Sequence, residues 1–186
     1  MKNSTLTTLW HHLSKRRQKQ FWLLLILMII ASLSEIISVG AVLPFLGILT
    51  SPEQVYQHPL MQPVIQILEL TEPSQLILPL TILFIVAALL AGSIRLTLLY
   101  VITRLSFATG ADLSISIYRR TLYQEYAVHV SRNSSEVINS IINKTGTVIN
   151  GIIRPVLMFI SSTILLIGIM GALFAINISV ALSAFI

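Results

Sequence analysis

The chain has no cysteine among its 186 residues, and Asp, Glu, Lys and Arg together make up only 10% of it, against about 25% in ordinary soluble domains. The missing thiols exclude a disulfide framework and any thiolate metal site. The scarcity of charge leaves too little ionic surface for a water-soluble globule. No GxxxxGK[ST] run occurs, so the backbone cradle and lysine that hold a nucleoside triphosphate are lacking too. What is present is apolar: 55% hydrophobic residues and a mean hydropathy of +0.86. The 12 basic and 7 acidic residues give a net charge of +5. The basic residues flank apolar runs, which fits orientation in a membrane and argues against a nucleic-acid partner.

Three apolar stretches stand out, residues 21–49, 76–103 and 152–176, and residues 179–186 read as the opening of a fourth. Each of the first three exceeds the roughly 20 residues that cross a hydrocarbon core of about 30 Å. They lack the polar alternation of barrel strands, so the expectation is an all-α membrane protein held together by helix packing. Lys15, Arg16, Arg17 and Lys19 before an apolar core, with Ser32 and Ser34 beyond, also raise a secretory signal. The run continues through Leu49, too long for a signal core and suited to an uncleaved helix.

The basic cluster at residues 15–19, the absence of Lys and Arg between 50 and 75, and the return of basic residues over 104–154 place the N-terminus on the cytoplasmic side. Residues 1–20 form one segment: Leu6, Leu9, Trp10 and Leu13 share a helical face, so residues 4–19 read as an amphipathic helix lying on membrane lipid. A solvated basic tail is the plainer alternative. Residues 21–186 then form a partial membrane domain. Its outer loop, broken by Pro52, Pro59, Pro63 and Pro73, is expected to hold one short helix near Val64 to Leu70.

The segment 104–151 is too polar for a span and too regular for a loop. Leu105, Ala108, Ala111, Ile115, Tyr118, Leu122 and Tyr126 step by three or four, which predicts that the second span runs on into the cytoplasm. After a break at HVSRNSSE, Val137, Ile138, Ile141 and Ile142 recur eleven residues later as Val148, Ile149, Ile152 and Ile153. A period of about 3.67 residues per turn predicts a nearly straight return arm. Asn133 followed by Glu136 has the spacing of a capping box, so this arm should start near 133. The hairpin either packs on itself or carries apolar stripes that other helices must cover.

A surface helix, a first span, an outer loop, a second span extended far inward, a turn at YAVHVSRNSSEVINSI and a return arm together resemble the first half of an ABC exporter transmembrane domain. SEIISVGAVLPFLGIL and YRRTLYQEYAVHVSRNSSEVINSI are similar to the subgroup of lipid-linked oligosaccharide flippases and cyanobacterial polysaccharide exporters. The resemblance implies an exporter-type helix arrangement with long cytoplasmic extensions, here truncated at the start of the fourth span. It implies a coupling helix within Val130, Ser131, Arg132, Asn133, Ser134, Ser135, Glu136, Val137 and Ile138 that docks on a nucleotide-binding domain. It also implies ATP and Mg for the full-length family, with no cofactor in this chain, a homodimer in the complete protein, and a place in the plasma (inner) membrane.

Within the first span Glu35 lies about 21 Å above Phe21, and Arg95 about 12 Å above Thr103 at 1.5 Å per residue. A buried charge there costs a few kcal/mol, roughly 3 on lenient scales, so both should face protein or water. Three arrangements satisfy them: a structural pair, separate satisfaction by hydroxyls, water or snorkelling, or a substrate path. In the last, Arg95 and Arg104 receive the phosphates of a lipid-linked sugar. Pro44 is a static kink or a bend at the outer gate. Two rival functions are a small membrane adaptor whose hairpin binds a partner protein, and a membrane-embedded enzyme. The second has little to stand on: His129, Ser131 and Glu136 cluster only in the turn, where Glu136 already has a capping role.

Overall fold

The computed structural model describes residues 15–67, 70–127 and 133–176, and among them all regular structure is helical. In chain order these are α1 (Lys15–Thr50), α2 (Pro52–Tyr56), α3 (Gln62–Ile67), α4 (Ile77–Leu122), α5 (Ser134–Val148) and α6 (Arg154–Ile176), with short 3-10 turns at Pro59–Met61 and Pro73–Leu76 and a π turn at Ile149–Ile153. Three helices are long and apolar enough to cross a membrane. In their most apolar windows only 22, 6 and 11% of residues are buried, so most of this apolar surface is left uncovered by the described residues. The expected surface helix over 4–14 and the fourth span over 179–186 lie outside the described residues. Lys15 to Lys19 belong to the same continuous helix as the first apolar run, not to a separate surface helix.

Proline placement explains much of the outline. Pro52, Pro59, Pro63 and Pro73 each fall in the first turn of a short helical element, and Pro79 in the first turn of α4, where the missing N–H is not needed. The connection between α1 and α4 is therefore richer in helix than expected, because its prolines start turns instead of breaking them. Its helix over Gln62–Ile67 begins two residues before the expected position. Pro44 is different, since α1 continues through it.

The described residues form two compact units. In the unit made of residues 29–97 and 164–176, Ile48, Ile65, Leu76 and Leu80 form a core against which Val55, Tyr56, Met61 and Leu70 pack. The Tyr56 hydroxyl donates to the Leu70 carbonyl at 2.9 Å, which closes the connection between α1 and α4 over that core. Phe45 stacks on Phe84 with ring centroids 4.7 Å apart. On α6, Gly168 admits α1: a Cβ there would lie 2.7 Å from Ser32 Oγ and 2.9 Å from Ile36 Cδ1. Small residues at such crossings let helices approach where lipid offers no hydrophobic drive.

The other unit holds residues 15–28 and 98–163. Here α4 continues past Thr103 without interruption to Leu122, about 28 Å further at 1.5 Å per residue. Its packed face differs from the expected stripe. Leu105 of that stripe is buried, but Ile115, Tyr118 and Leu122 are exposed, while Ser106 and Thr109 beside it are buried. The reason is close packing: a Cβ on Gly110 would overlap the Ile149 side chain, 2.5 Å from its Cγ1, and Ser114 Oγ donates to Thr145 Oγ1 at 3.0 Å. Buried Ser106 and Thr109 satisfy their hydroxyls on the carbonyls of Ile102 and Leu105, both at 2.8 Å.

The return arm is not a uniform helix. The π turn at Ile149–Ile153 interrupts it, with the Arg154 amide donating to the Ile149 carbonyl. Pro155 supplies the cause. It has no N–H for the Gly151 carbonyl and its ring crowds that oxygen, and a widened turn just before it relieves both problems. The eleven-residue repeat is real as a pattern, but the π turn before Pro155 breaks the regular winding it implies.

Candidate functional site

Two charged pairs join α1 to α4, one in each unit. In the first unit Arg17 Nε donates to Asp112 Oδ2 at 2.6 Å and an Nη2 donates to Oδ1 at 3.3 Å. The same guanidinium reaches Gln20 Oε1 at 2.8 Å and the Ala108 carbonyl at 3.4 Å. A planar fork meeting a carboxylate edge-on is the strong form of this contact. Both residues lie outside the apolar runs 21–49 and 76–103. The hydrogen bond from Arg17 holds the Asp112 carboxyl below its ordinary range, with the charges of Arg17 and Arg16 adding to it. The bond to Asp112 likewise raises the Arg17 value.

Beside this pair, α1 and α4 enclose a cleft of about 640 Å³ lined by Arg16, Gln20, Leu23, Leu27, Tyr100 and Arg104, among others. Its walls are arginine at one end and leucine at the other. Arg104, expected on a substrate path, therefore sits with Arg16 and Tyr100.

In the second unit Arg95 Nη1 lies 3.6 Å from Glu35 Oε2. This is an ion pair slightly too long for a hydrogen bond, and Glu35 Oε2 is itself shielded from solvent without a hydrogen-bond partner. The two residues that depth counting left about 9 Å apart are brought together. Arg95 and Arg104 are nine residues apart on α4, and Arg104 has no such acidic neighbour among the described residues.

At the turn, Asn133 caps α5: its side chain accepts from the Ser135 amide at 3.0 Å. The cap falls on the expected residue, although its oxygen takes the second helical amide and not the third, which a capping box uses. Glu136 lies in the first turn, where its charge complements the helix dipole. Val130, Ser131 and Arg132 of the coupling region, and His129, lie outside the described residues. Ile138 and Ile142 are 50 and 61% exposed, and with Ile115 and Tyr118 they line a shallow apolar groove between the arms.

Sequence reasoning missed Asp112, Gly110 and Pro155. The signal for Asp112 was present: it is the lone acid between Thr103 and Arg119, opposite an arginine cluster. Comparison of the chain with family models, with curated proteins and with solved structures gives no match.

Proposed function

We propose that this chain is the N-terminal transmembrane part of an ATP-driven exporter of the ABC type, acting on a lipid-linked or polysaccharide-type substrate. It would sit in the plasma membrane with its N-terminus in the cytoplasm. The supporting observation is the length of α4. Its 46 residues make about 69 Å of helix, more than twice the roughly 30 Å of a hydrocarbon core, and α5 returns beside the overhang. An anchor has no use for such a lever. In an exporter the lever carries motion from an ATPase to the membrane helices.

Several residues suit this role. The Gly110–Ile149 approach and the Ser114–Thr145 hydrogen bond lock the two arms together, so that a push at the 130–138 turn moves both. Asn133 keeps the end of the return arm helical under that load. ATP hydrolysis would belong to a nucleotide-binding domain with the GxxxxGK[ST] loop this sequence lacks. Exposed Ile115, Tyr118, Ile138 and Ile142 then serve as contacts for further helices of the complete assembly, a homodimer in this reading.

Because the chain has no cysteine, single-cysteine variants need no background removal. Lys19→Cys and Ser135→Cys should react with an impermeant maleimide from one side of the membrane and Gln57→Cys from the other. A photo-crosslinker at Glu136 should then capture a protein carrying a P-loop. Labelling of positions 19 and 135 from opposite sides would end the proposal. Capture of a partner without nucleotide-binding motifs would favour the adaptor reading, for which the exposed hairpin isoleucines would be the docking face.

A further inference from the structure

We infer that the cleft between the lower part of α1 and the adjoining part of α4 is a binding site for one anionic phospholipid, which holds its phosphodiester at Arg16 and Arg104 and lays an acyl chain along Leu23 and Leu27. This depends on α1 and α4 crossing a bilayer and not on the exporter reading, so failure to capture an ATPase leaves it untouched. Four observations carry it.

The cleft has a volume of about 640 Å³, within the range of roughly 300–1,000 Å³ typical of small-molecule sites. Its polarity is graded in the sense a phospholipid needs. Arg16 precedes the apolar run that begins at Phe21, Arg104 follows the run that ends at Thr103, and the two line the same cleft. Leu23, Leu24 and Leu27 continue from there into the apolar part of α1. Tyr100, 63% exposed, stands one turn before Arg104, with an apolar ring and a polar tip suited to headgroup depth.

The charges are also divided. Arg17 is saturated by Asp112, Gln20 and the Ala108 carbonyl. Arg16 and Arg104 form no hydrogen bond or ion pair among the described residues. Asp112 therefore fixes Arg17 by hydrogen bonds and acts on Arg16 through charge alone, which leaves the donors of Arg16 and Arg104 open to a ligand in the cleft. An anion bridging them removes the repulsion between like charges on facing helices, and a guanidinium pair suits a phosphate oxygen pair. A zwitterionic lipid offers the same phosphate but brings its own cation into an already basic cleft.

The test uses the whole chain, delipidated in a non-ionic detergent and examined by native mass spectrometry with added phosphatidylglycerol, phosphatidylcholine or inorganic phosphate. One phosphatidylglycerol should bind per chain in preference to phosphatidylcholine. Arg16→Gln and Arg104→Gln should each weaken it about fivefold, the factor expected for one basic residue at an anionic surface. Lys144→Gln, which removes an exposed charge on α5, should leave it unchanged. If a glutamine variant loses helix by circular dichroism, Arg16→Lys and Arg104→Lys replace it and should weaken binding less than fivefold while keeping the preference for the anionic lipid. Equal binding of both lipids, an equal loss in Lys144→Gln, or displacement by inorganic phosphate would overturn the inference, the last by marking a small-anion site instead.

Discussion

The contact between Gly110 and Ile149 gives the sharpest test of how the two arms are held. Replacing Gly110 by Ala has two opposed effects. A mid-helix Gly→Ala change gains about 1 kcal/mol of helix propensity. The new methyl, however, would stand 2.5 Å from Ile149 Cγ1 and 3.5 Å from Thr145 Cγ2, and overpacking of that kind costs about 1–3 kcal/mol. The net expectation is a loss of about 0–2 kcal/mol. Ile149, 6% exposed, should lose about 2–5 kcal/mol when cut to Ala. In the double variant the added methyl occupies space the isoleucine has left, so the losses should fall short of additivity by about 1–3 kcal/mol. Unfolding in mixed micelles, followed by far-UV circular dichroism, measures all four corners of this cycle. Additivity to within about 0.5 kcal/mol, or a Gly110→Ala variant stabilised by the full propensity gain, would refute the packing argument.

Removing the Arg17–Asp112 pair should matter modestly and in a pH-dependent way. The folded-state value of Asp112 is lowered, so its contribution is present above the unfolded-state carboxylate value of about 3.9 and is lost as pH falls through the folded one. With Asp112 nearly half exposed, at 46%, that contribution is under about 1 kcal/mol. The stability gap between the native chain and Asp112→Asn should accordingly stay flat from neutral pH down to about 4 and then close; a gap that widened in acid would contradict the pairing. Pro155→Ala should convert the π turn toward α-helix by giving residue 155 an amide for the Gly151 carbonyl, seen as slower hydrogen exchange over 151–155; unchanged exchange would point to another cause for the turn. For Glu35 and Arg95, Arg95→Gln alone should lower stability more than the double change Glu35→Gln with Arg95→Gln, because the single variant strands a carboxylate. Equal losses would show that the two charges are satisfied separately.

How much of this was legible in the sequence depends on the kind of signal. Runs of apolar residues over 21–49, 76–103 and 152–176 sufficed for three membrane-length helices, and the uninterrupted pattern beyond Thr103 sufficed for the extension of α4, because hydrophobic length is additive along the chain. Leu98, Ile102 and Leu105 are buried as apolar residues should be, but beyond Leu105 the face that α4 buries was not legible from apolarity. There the packing surface is Ser106, Thr109, Gly110 and Ser114, small and hydroxylated residues that an apolar-stripe reading assigns to solvent. The π turn was hidden for a similar reason: an eleven-residue repeat describes side chains, whereas Pro155 acts on the backbone. Depth counting misjudged Glu35 and Arg95 because it took the ends of two apolar runs as one zero level. A better signal lay in spacing. Eighteen residues separate Arg17 from Glu35 on α1, seventeen separate Arg95 from Asp112 on α4, and the signs are complementary for antiparallel helices.

That complementarity bears on how helices choose a register in lipid at all. Apolar side chains give little preference there, since lipid tails solvate leucine as well as another helix does. A slip of one turn, about 5.4 Å, would cost α1 and α4 little in apolar contact, but it would pull Glu35 from Arg95 and leave its shielded Oε2, which has no hydrogen-bond partner, without a countercharge. The penalty for that error is large even where the net gain from the correct pair is small. A chain this poor in charge can therefore use Glu35 and Arg95 as a register pin without relying on them for much stability. By the same argument, the effect of Glu35 in the first apolar run would lie in excluding neighbouring alignments more than in stabilising this one. Moving the pin tests this directly. Shifting the acid by one turn, as Glu35→Gln with Val39→Glu, should weaken α1–α4 disulfide trapping between cysteines placed at Phe45 and Phe84, whose rings stack at 4.7 Å. Trapping as efficient as with Glu35 in place would mean that packing alone sets the register.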